Sequence, residues 1–336
     1  MQAKISVIVA VYNAESTIGR CLDSVLSQTI KGIEIIVVDD CSTDASKKIL
    51  QDYSNNNRCV NLITLDHNLG AGNARNIGIN NSTGEYVSIL DSDDYLKNSF
   101  VLEKLYKFAH TNNSDVVQFD YEVFNELTGK KTVIKASASG SFKKRDPSAV
   151  CSPDKCLLNS WCRLYRRAFL FNKDIKFGIG SHGEDHIFSL KSIYEAESVS
   201  YFPEICYVYT ERIGSVTNSQ DEGNLLIFAN IDLVEAYLSS TKFWDAVSNG
   251  FYRYRLKTLK AHCLACPENF RFSFVDKAKS YLPEKEFRKF VNSLYPSIWQ
   301  WLFSVTNIKD KDCIVKHKIL TVLGRQFVLN SGNSTK

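Results

Sequence analysis

Residues 84–96 read GEYVSILDSDDYL, and this stretch decides the class of fold. After Gly84 and Glu85, its first half is apolar apart from one serine and is rich in aromatic and branched side chains, which is typical of a strand covered on both faces. We expect that strand at residues 85–90. It runs directly into Asp91-Ser92-Asp93-Asp94. The sequence therefore predicts a buried strand that delivers several carboxylates to its carboxyl end.

Strand and helix patterns alternate on both sides of this segment. Further strands are expected at residues 5–11, 33–38, 60–65 and 115–119, and helices after residue 15, after Ser42, at 70–80 and after residue 96. Ser42 is expected to cap the second helix. Alternation at this spacing predicts an α/β fold with a mostly parallel sheet flanked by helices. Such sheets bind ligands beyond the carboxyl ends of their strands.

The sequence after the first strand excludes two common ways of holding a phosphate. It reads Val11-Tyr12-Asn13-Ala14-Glu15, with neither Gly-x-Gly-x-x-Gly nor Gly-x-x-x-x-Gly-Lys-Ser/Thr. A divalent metal is the alternative. Asp91 and Asp93 offer the oxygen ligands that Mg²⁺ or Mn²⁺ prefers. Their spacing is equally compatible with a simple turn, since Asp and Ser favour turns.

Composition narrows the class further. The 336 residues are 44% hydrophobic and 23% charged with a net charge of +4, which is ordinary for a globular protein and lacks the basic cluster of a nucleic-acid binder. The Cys263-x-x-Cys266 pair has no second ligand pair for zinc. No signal peptide and no stretch of ~20 apolar residues is present. We expect a cytoplasmic protein that does not span a membrane.

Four motifs occur in a fixed order: SVIVAVYN at 6–13, VDDCSTD at 38–44, NLGAGNARNIG at 68–78, and the stretch at 84–96. Together they resemble family 2 of the glycosyltransferases, inverting enzymes with the GT-A fold, over residues 4–110 and onward to about 218. The resemblance implies transfer from a nucleotide-diphosphate sugar, with a UDP-sugar as first choice, assisted by Mn²⁺ or Mg²⁺. It also implies a glycan or lipid-linked glycan acceptor in bacterial capsule, lipooligosaccharide or other surface-polysaccharide synthesis.

The resemblance also implies roles for residues of the donor site. These are Asp40 at the nucleotide base with Tyr12 nearby, Arg75 near the nucleotide or its diphosphate, Asp91 at the ribose or donor sugar, Asp93 on the metal, and Asp94 as a helper. Asp39 and Asp44 are assigned to capping and turn formation instead.

A second acidic pair is expected on the acceptor side. Gly183-Glu184-Asp185 resembles the family's acidic pair, with Asp185 as the base that takes the acceptor proton and Glu184 as its positioning partner. The alternative is a pair of acids that stabilise a helix start through the helix dipole. Arg212 is a candidate second cation over the diphosphate.

We expect His182, His186 and Trp161 to have structural roles rather than to bind a metal or a sugar. His182 and His186 flank the acidic pair, but the resemblance requires neither as a metal ligand. Trp161 is expected in the core rather than at a sugar ring.

The chain departs from the family pattern at three positions that touch neither the expected metal ligand nor the base. Ala10 stands at a proline position, and Arg163 replaces a frequent lysine. Cys41 stands where glycine is common, so we expect that turn to need no positive φ.

We expect residues 1–218 to form the GT-A domain and residues 219–336 a helical region. Trp299, Trp301 and the following lysines predict a helical cap, or else a helix that makes peripheral contact with the inner face of a membrane. Two rival functions remain. A sugar-phosphate nucleotidyltransferase should show a glycine- and arginine-rich loop after its first strand, and a non-catalytic nucleotide-sugar-binding scaffold should lack a base such as Asp185.

Overall fold

We analysed a computed structural model, which describes residues 3–136, 142–143, 152–212 and 225–294 and three strands between residues 303 and 330. The chain divides into two compact units, Met1–Tyr254 and Arg255–Lys336. The domain boundary predicted at residue 218 lies outside the described residues.

The first unit alternates strands and helices as the sequence predicts. Its strands are β1 Ile5–Val11, β2 Ile33–Asp39, β3 Val60–Thr64, β4 Tyr86–Ile89, β5 Tyr95–Leu96, β6 Val116–Asn125, β7 Lys131–Ile134, β8 Phe142–Lys143, β9 Arg163–Arg166 and β10 Ser198–Glu211. Its helices are α1 Ile18–Leu26, α2 Ser46–Asn56, α3 Ala71–Asn80, α4 Val101–Thr111, α5 Arg167–Asn172, α6 Glu184–Glu195 and α7 Leu226–Ser239. Helix α8, Trp244–Ala265, begins in the first unit and ends in the second.

The main sheet has the strand order β3-β2-β1-β4-β9-β6-β10-β5. The first four strands are parallel, and β9 then runs antiparallel to both β4 and β6. Strands β6 and β10 are again parallel, whereas β5 is antiparallel to β10. The predicted α/β fold is confirmed. The reversal at β9 was not expected, because a short strand that lies far along the chain gives no local sign of its direction.

The register of the parallel strands gathers their carboxyl ends at one edge. Val11 of β1 pairs with Asp39 of β2, and Ile8 pairs with Ile89 of β4. Strand β1 is almost completely buried, as expected for a parallel strand with helices on both faces. The polar residues that follow β1, β2 and β4 therefore meet at one edge of the sheet.

The turn between β2 and α2 differs from the prediction in its capping residue. Helix α2 begins at Ser46 rather than just after Ser42, whose Oγ instead accepts a hydrogen bond from the Asn13 amide. Asp44 takes the capping role, since its two carboxylate oxygens accept the Ser46 and Glu15 amides. Asp39 accepts the Ser42 amide. The assignment of Asp39 and Asp44 to capping and turn formation is confirmed.

The expectation for Cys41 is wrong. Its φ is +64°, in the left-handed region that favours glycine. The turn therefore keeps the backbone conformation of the common glycine, and the cysteine bears its steric cost.

We predict that two substitutions at Cys41 differ in their effect on the free energy of unfolding. Cys41→Gly should leave the free energy of unfolding unchanged or raise it by up to about 1 kcal/mol, because glycine relieves the left-handed strain but loses more chain entropy. Cys41→Val should lower it by about 1–2 kcal/mol, since a branched side chain is a genuine outlier there. Urea unfolding measures both. Cys59→Val is the control, because Cys59 has no positive φ, and equal stability of Cys41→Val and Cys41→Gly would contradict the account.

The second unit contains both helices and strands. Helices α9 Glu268–Tyr281 and α10 Glu284–Leu294 are followed by β11 Phe303–Lys309, β12 Val315–Val322 and β13 Arg325–Asn330, which form an antiparallel sheet. Helices α7 to α10 agree with the helical region expected after residue 218, whereas the chain forms strands between residues 303 and 330, where branched residues favour them. Trp299 and Trp301 lie outside the described residues. Within the described part of the chain, no helix is long and apolar enough to cross a membrane.

Candidate active site

The acidic run after β4 is anchored by its last member. Asp94 is fully buried, and its carboxylate accepts hydrogen bonds from the Tyr207 hydroxyl at 2.6 Å and the Thr210 amide at 2.7 Å. Burial, together with the charges of Asp91 and Asp93, raises the pKa of Asp94 well above its usual range. Asp94 therefore ties the acidic run to β10, and its two carboxylate oxygens are already engaged.

Asp93, the predicted metal ligand, lies between two arginines. Its side chain is 22% exposed, and Oδ2 lies 3.2 Å from both Nε and Nη2 of Arg212. Arg20 donates to the backbone oxygen of Asp93 at 2.9 Å. Burial and the charge of Asp91 raise the pKa of Asp93, while Arg212 opposes that rise. The structure thus brings the predicted diphosphate cation, Arg212, to the predicted metal ligand.

Arg75 joins the two halves of the site. Its Nη2 donates to Asp91 Oδ1 at 2.8 Å, and its Nη1 donates to Glu184 Oε1 at 2.6 Å. The guanidinium lies over the ring of Phe177, 5.3 Å from its centroid. Burial alone would lower the pKa of Arg75, but the two carboxylates raise it above its ordinary value. Arg75, predicted near the nucleotide, is a buried cation that joins Asp91 after β4 to Glu184 at the start of α6.

Asp185 follows Glu184 in the first turn of α6. Its side chain is 22% exposed, whereas Glu184 is buried and bound to Arg75. Burial first, and then the negative charge of Glu184, raise the pKa of Asp185 to about 8, against the opposing charge of Arg75. A helix dipole alone would favour the ionised form. Asp185 therefore combines a raised pKa with a partly exposed carboxyl group, and its role as the acceptor base stays a prediction.

The two histidines lie on either side of the acidic pair and differ in their contacts. His182 is buried, and its backbone oxygen accepts a hydrogen bond from Asn230. His186 Nδ1 lies 2.9 Å from the Tyr254 hydroxyl, and Nε2 lies 3.9 Å from Asp185 Oδ1. The structural roles expected for both residues stay predictions.

Trp161 belongs to an aromatic stack in the core. Its ring is stacked on Tyr207 at a centroid distance of 4.4 Å and on Tyr209 at 5.5 Å. Only 5% of the residue is exposed, so Trp161 presents no free face to a sugar.

Asp40 and Tyr12 differ in what they present to a ligand. Tyr12 is 49% exposed at the end of β1. Asp40 is buried, and its two carboxylate oxygens accept the amides of Leu69 at 2.7 Å and Gly70 at 2.8 Å. Asp40 therefore holds the loop before α3 in place. The predicted contact between Asp40 and a nucleotide base stays a prediction.

Sequence reasoning missed Arg20 as part of the site. A cleft of about 440 Å³ beside Asp93 is lined by Ser16, Thr17, Arg20, Glu126, Leu127 and Arg212. Arg20 lies in α1, 73 positions from Asp93, and bonds Glu126 at 3.0 Å across this cleft. Neither contact leaves a local sequence signal, because each joins residues more than 70 positions apart.

The carboxylates of Asp91 and Asp93 suit a hard divalent cation that takes most of its ligands from outside the protein. Asp91 and Asp93 are each 22% exposed, and their mutual repulsion contributes to the raised pKa of Asp93. A cation would relieve that repulsion, and carboxylate oxygens suit Mg²⁺ or Mn²⁺. Among the described residues, no three His, Cys, Asp or Glu side chains are grouped to hold a metal. One or two carboxylates, completed by phosphate oxygens and water, is the usual arrangement for Mg²⁺.

Comparisons with known sequences find a family and several relatives. Residues 6–172 match the family model described as glycosyl transferase family 2. The chain is 36% identical over 222 residues to glycosyltransferase GlyA of Streptococcus pneumoniae serotype 4, a match that covers 64% of this chain and 31% of that protein. The chain covers less than two thirds of the length of the first curated relatives that it matches.

Solved structures share the fold. Staphylococcus aureus TarS 1–349 in complex with UDP-GlcNAc has a TM-score of 0.60 at 23% identity, over 93% of this chain and 98% of that chain. The mannosyltransferase PcManGT from Pyrobaculum calidifontis, in complex with GDP-Man and Mn²⁺, has a TM-score of 0.52 at 14% identity, over 87% of this chain and 80% of that chain. The fold is therefore of the GT-A class. The chain belongs to glycosyl transferase family 2.

The raised pKa of Asp185 predicts a pH-dependent stability difference between the wild type and Asp185→Asn. The folded protein keeps the Asp185 proton up to about pH 8, while the unfolded chain releases it near pH 4. The folded state therefore binds more protons in that interval, and stability falls as the pH rises. Asp185→Asn cannot ionise, so its Tm should exceed that of the wild type at pH 8.5, with the gap closing towards pH 5.

Asp174→Asn is the matched control for this measurement. Asp174 is an exposed acid whose pKa is lowered by a hydrogen bond to Lys176, so this variant should show no such gain at pH 8.5. A Tm difference between Asp185→Asn and the wild type that does not change between pH 5 and pH 8.5 would contradict the raised pKa.

Proposed function

We propose that the chain is an inverting glycosyltransferase that moves a sugar from a UDP-sugar to an acceptor hydroxyl. The observation that supports this proposal is the Arg75 bridge, in which one buried guanidinium pairs with Asp91, proposed for the donor side, and with Glu184, proposed for the acceptor side next to Asp185. A direct displacement requires that the donor sugar and the group that accepts the proton are held in a fixed relative position.

The displacement needs a base for the acceptor hydroxyl. Asp185 takes the hydroxyl proton while the acceptor oxygen forms a bond to the anomeric carbon. The bond from that carbon to the diphosphate oxygen breaks, its electron pair leaves with the nucleoside diphosphate, and the configuration inverts. A carboxylate with a pKa of about 8 is a stronger base than an ordinary aspartate and is still ionised in part at neutral pH.

The departing diphosphate needs positive charge. Asp93, with Asp91 beside it, would hold Mn²⁺ or Mg²⁺, which when bound neutralises charge on the leaving diphosphate. Arg212 pairs with Asp93 in this structure, and Arg20 lies beside it. We propose that Arg212 exchanges this carboxylate for phosphate oxygens when a donor binds, since its guanidinium fork suits both.

The donor and the pathway are proposed from the relatives. TarS has been solved with UDP-GlcNAc and with UDP, and PcManGT with GDP-Man and Mn²⁺. One curated relative is poly(ribitol-phosphate) β-N-acetylglucosaminyltransferase TarS. We infer a UDP-sugar donor, a glycan or lipid-linked glycan acceptor, and a role in bacterial surface-polysaccharide synthesis on the cytoplasmic side of the membrane.

A thermal-shift titration tests the donor site. UDP, GDP, CDP and dTDP are each added with Mn²⁺ and again with excess EDTA. At about 100 times its Kd, a ligand adds about 2.7 kcal/mol to the stability of the folded state, which raises Tm by ~5 °C or more. We expect this rise for UDP with Mn²⁺ and its loss in Asp93→Ala but not in the exposed-site control Asp174→Ala. A UDP shift that is the same in EDTA and in Asp93→Ala would contradict the metal assignment.

Asp185→Asn separates an enzyme from a binding scaffold. The variant should bind UDP with Mn²⁺ as the wild type does, while release of UDP from UDP-GlcNAc falls by about 10²–10⁴-fold, the usual contribution of a general base. Wild-type turnover in Asp185→Asn would disprove the base. Nucleotide binding without turnover by the wild type, in the presence of acceptor extracts, would favour the scaffold.

A further inference from the structure

The loop at residues 177–183, which leads into α6, is held by two asparagine side chains from different helices. Asn76 of α3 bonds the backbone of Phe177, accepting its N–H at 2.9 Å and donating to its oxygen at 3.2 Å. Asn230 of α7 accepts the Ile179 amide at 3.1 Å and donates to the backbone oxygens of Ile179 and His182, each at 2.9 Å. The loop is thus fixed from both sides through its backbone.

Close backbone packing leaves this loop little freedom. A Cβ at Gly70 would lie 2.7 Å from the Cα of Gly180, so α3 can dock here only with glycine at position 70, whereas a Cβ at Gly180 would meet the Leu226 side chain. The Gly72 amide donates to the Gly180 oxygen at 3.0 Å. A Cβ at Gly178 would collide with the Asn230 amide. Asn230 therefore fills the space that Gly178 leaves open.

The loop at 177–183 is bonded directly to the acidic pair of Glu184 and Asp185 through Glu184. The Gly178 amide donates to the backbone oxygen of Glu184 at 2.7 Å, which ties the loop to the first turn of α6. Glu184 and Asp185 follow the loop without an intervening residue after Gly183. A shift of the loop would move both carboxylates relative to Arg75, and a displacement of ~1 Å at a reacting group can cost about 100-fold in rate.

Asn230 is fully buried, and both its N–H groups and its oxygen are used in these bonds. It also lies outside residues 6–172, the range that the family model matches. Helix α7 packs on α6 and belongs to the same compact unit as the sheet.

We propose that Asn230 is a positioning residue for sugar transfer: its amide fixes the loop at 177–183 and thereby holds Asp185 at the acceptor hydroxyl. This inference rests on the proposed function, in which Asp185 is the base.

The chain offers a matched control in Gln28. This amide is also buried, donates to two backbone oxygens, of Ser24 and Asn98, and accepts the Leu102 amide. Asn230→Asp and Gln28→Glu each replace an amide by an acid of nearly the same shape and remove two donors. Both variants should lose stability to a similar extent, because each leaves buried carbonyl groups without their donors. Of these two amides, only that of Asn230 bonds the loop at 177–183, which leads to Asp185.

The test measures UDP affinity with Mn²⁺, Tm, and the consumption of UDP-GlcNAc between pH 5.5 and 9.5. Asn230→Asp should lower kcat at least tenfold and move the midpoint of the rise in rate with pH, with the Kd for UDP within twofold of the wild type. Gln28→Glu should keep kcat within twofold and the midpoint unchanged. If Asn230→Asp does not fold, Asn230→Ser keeps one hydroxyl donor and should show the same pattern with a smaller loss of kcat.

Two outcomes would overturn the inference and are distinguishable. If the wild type binds UDP and consumes UDP-GlcNAc while the Asn230 variants match Gln28→Glu in kcat and pH midpoint, the positioning role fails and the proposed function stands. If the wild type neither binds UDP nor consumes UDP-GlcNAc, the proposed function fails and the role of Asn230 fails with it.

Discussion

The Arg75 guanidinium bridges Asp91 at the end of β4 and Glu184 at the start of α6, and the rest of the site depends on this contact. The acids that it joins carry like charges in a buried setting, where an unpaired charge costs several kcal/mol. One cation lets the acidic strand end and the acidic helix start approach each other. It also leaves Asp185 beside the charge of Glu184, which is one cause of its raised pKa.

Backbone contacts make this arrangement rigid. Asp40 holds the loop before α3 through two amides, and α3 then docks on the Gly180 backbone through Gly70 and Gly72. The loop before α3 and the loop before α6 are therefore parts of one packed junction. Side chains fixed by packing and hydrogen bonds are the condition for a site that holds reacting groups to within fractions of an ångström.

How far the sequence predicts this structure depends on the range of each signal. The buried strands β1, β2 and β4 and their polar ends are predicted because burial on both faces requires continuous apolar runs. The ion pair between Arg75 and Glu184 is not predicted, because the two residues lie 109 positions apart and the resemblance places Arg75 at the nucleotide instead. The sequence also does not predict the left-handed backbone of Cys41 or the hydrogen bonds of Asn230 to the loop at 177–183. Each depends on tertiary packing that overrides the local preference of the residue.

The most direct test of the Arg75 bridge is a double-mutant cycle on the free energy of unfolding with Arg75→Met, Glu184→Gln and the double variant. Each single substitution leaves part of a buried charge uncompensated and should cost about 3–5 kcal/mol at most. The double variant should cost less than the sum by at least ~1 kcal/mol, the coupling expected of residues in one buried network. Additive costs, within about 0.5 kcal/mol, would contradict the claim that this bridge holds the two halves of the site together.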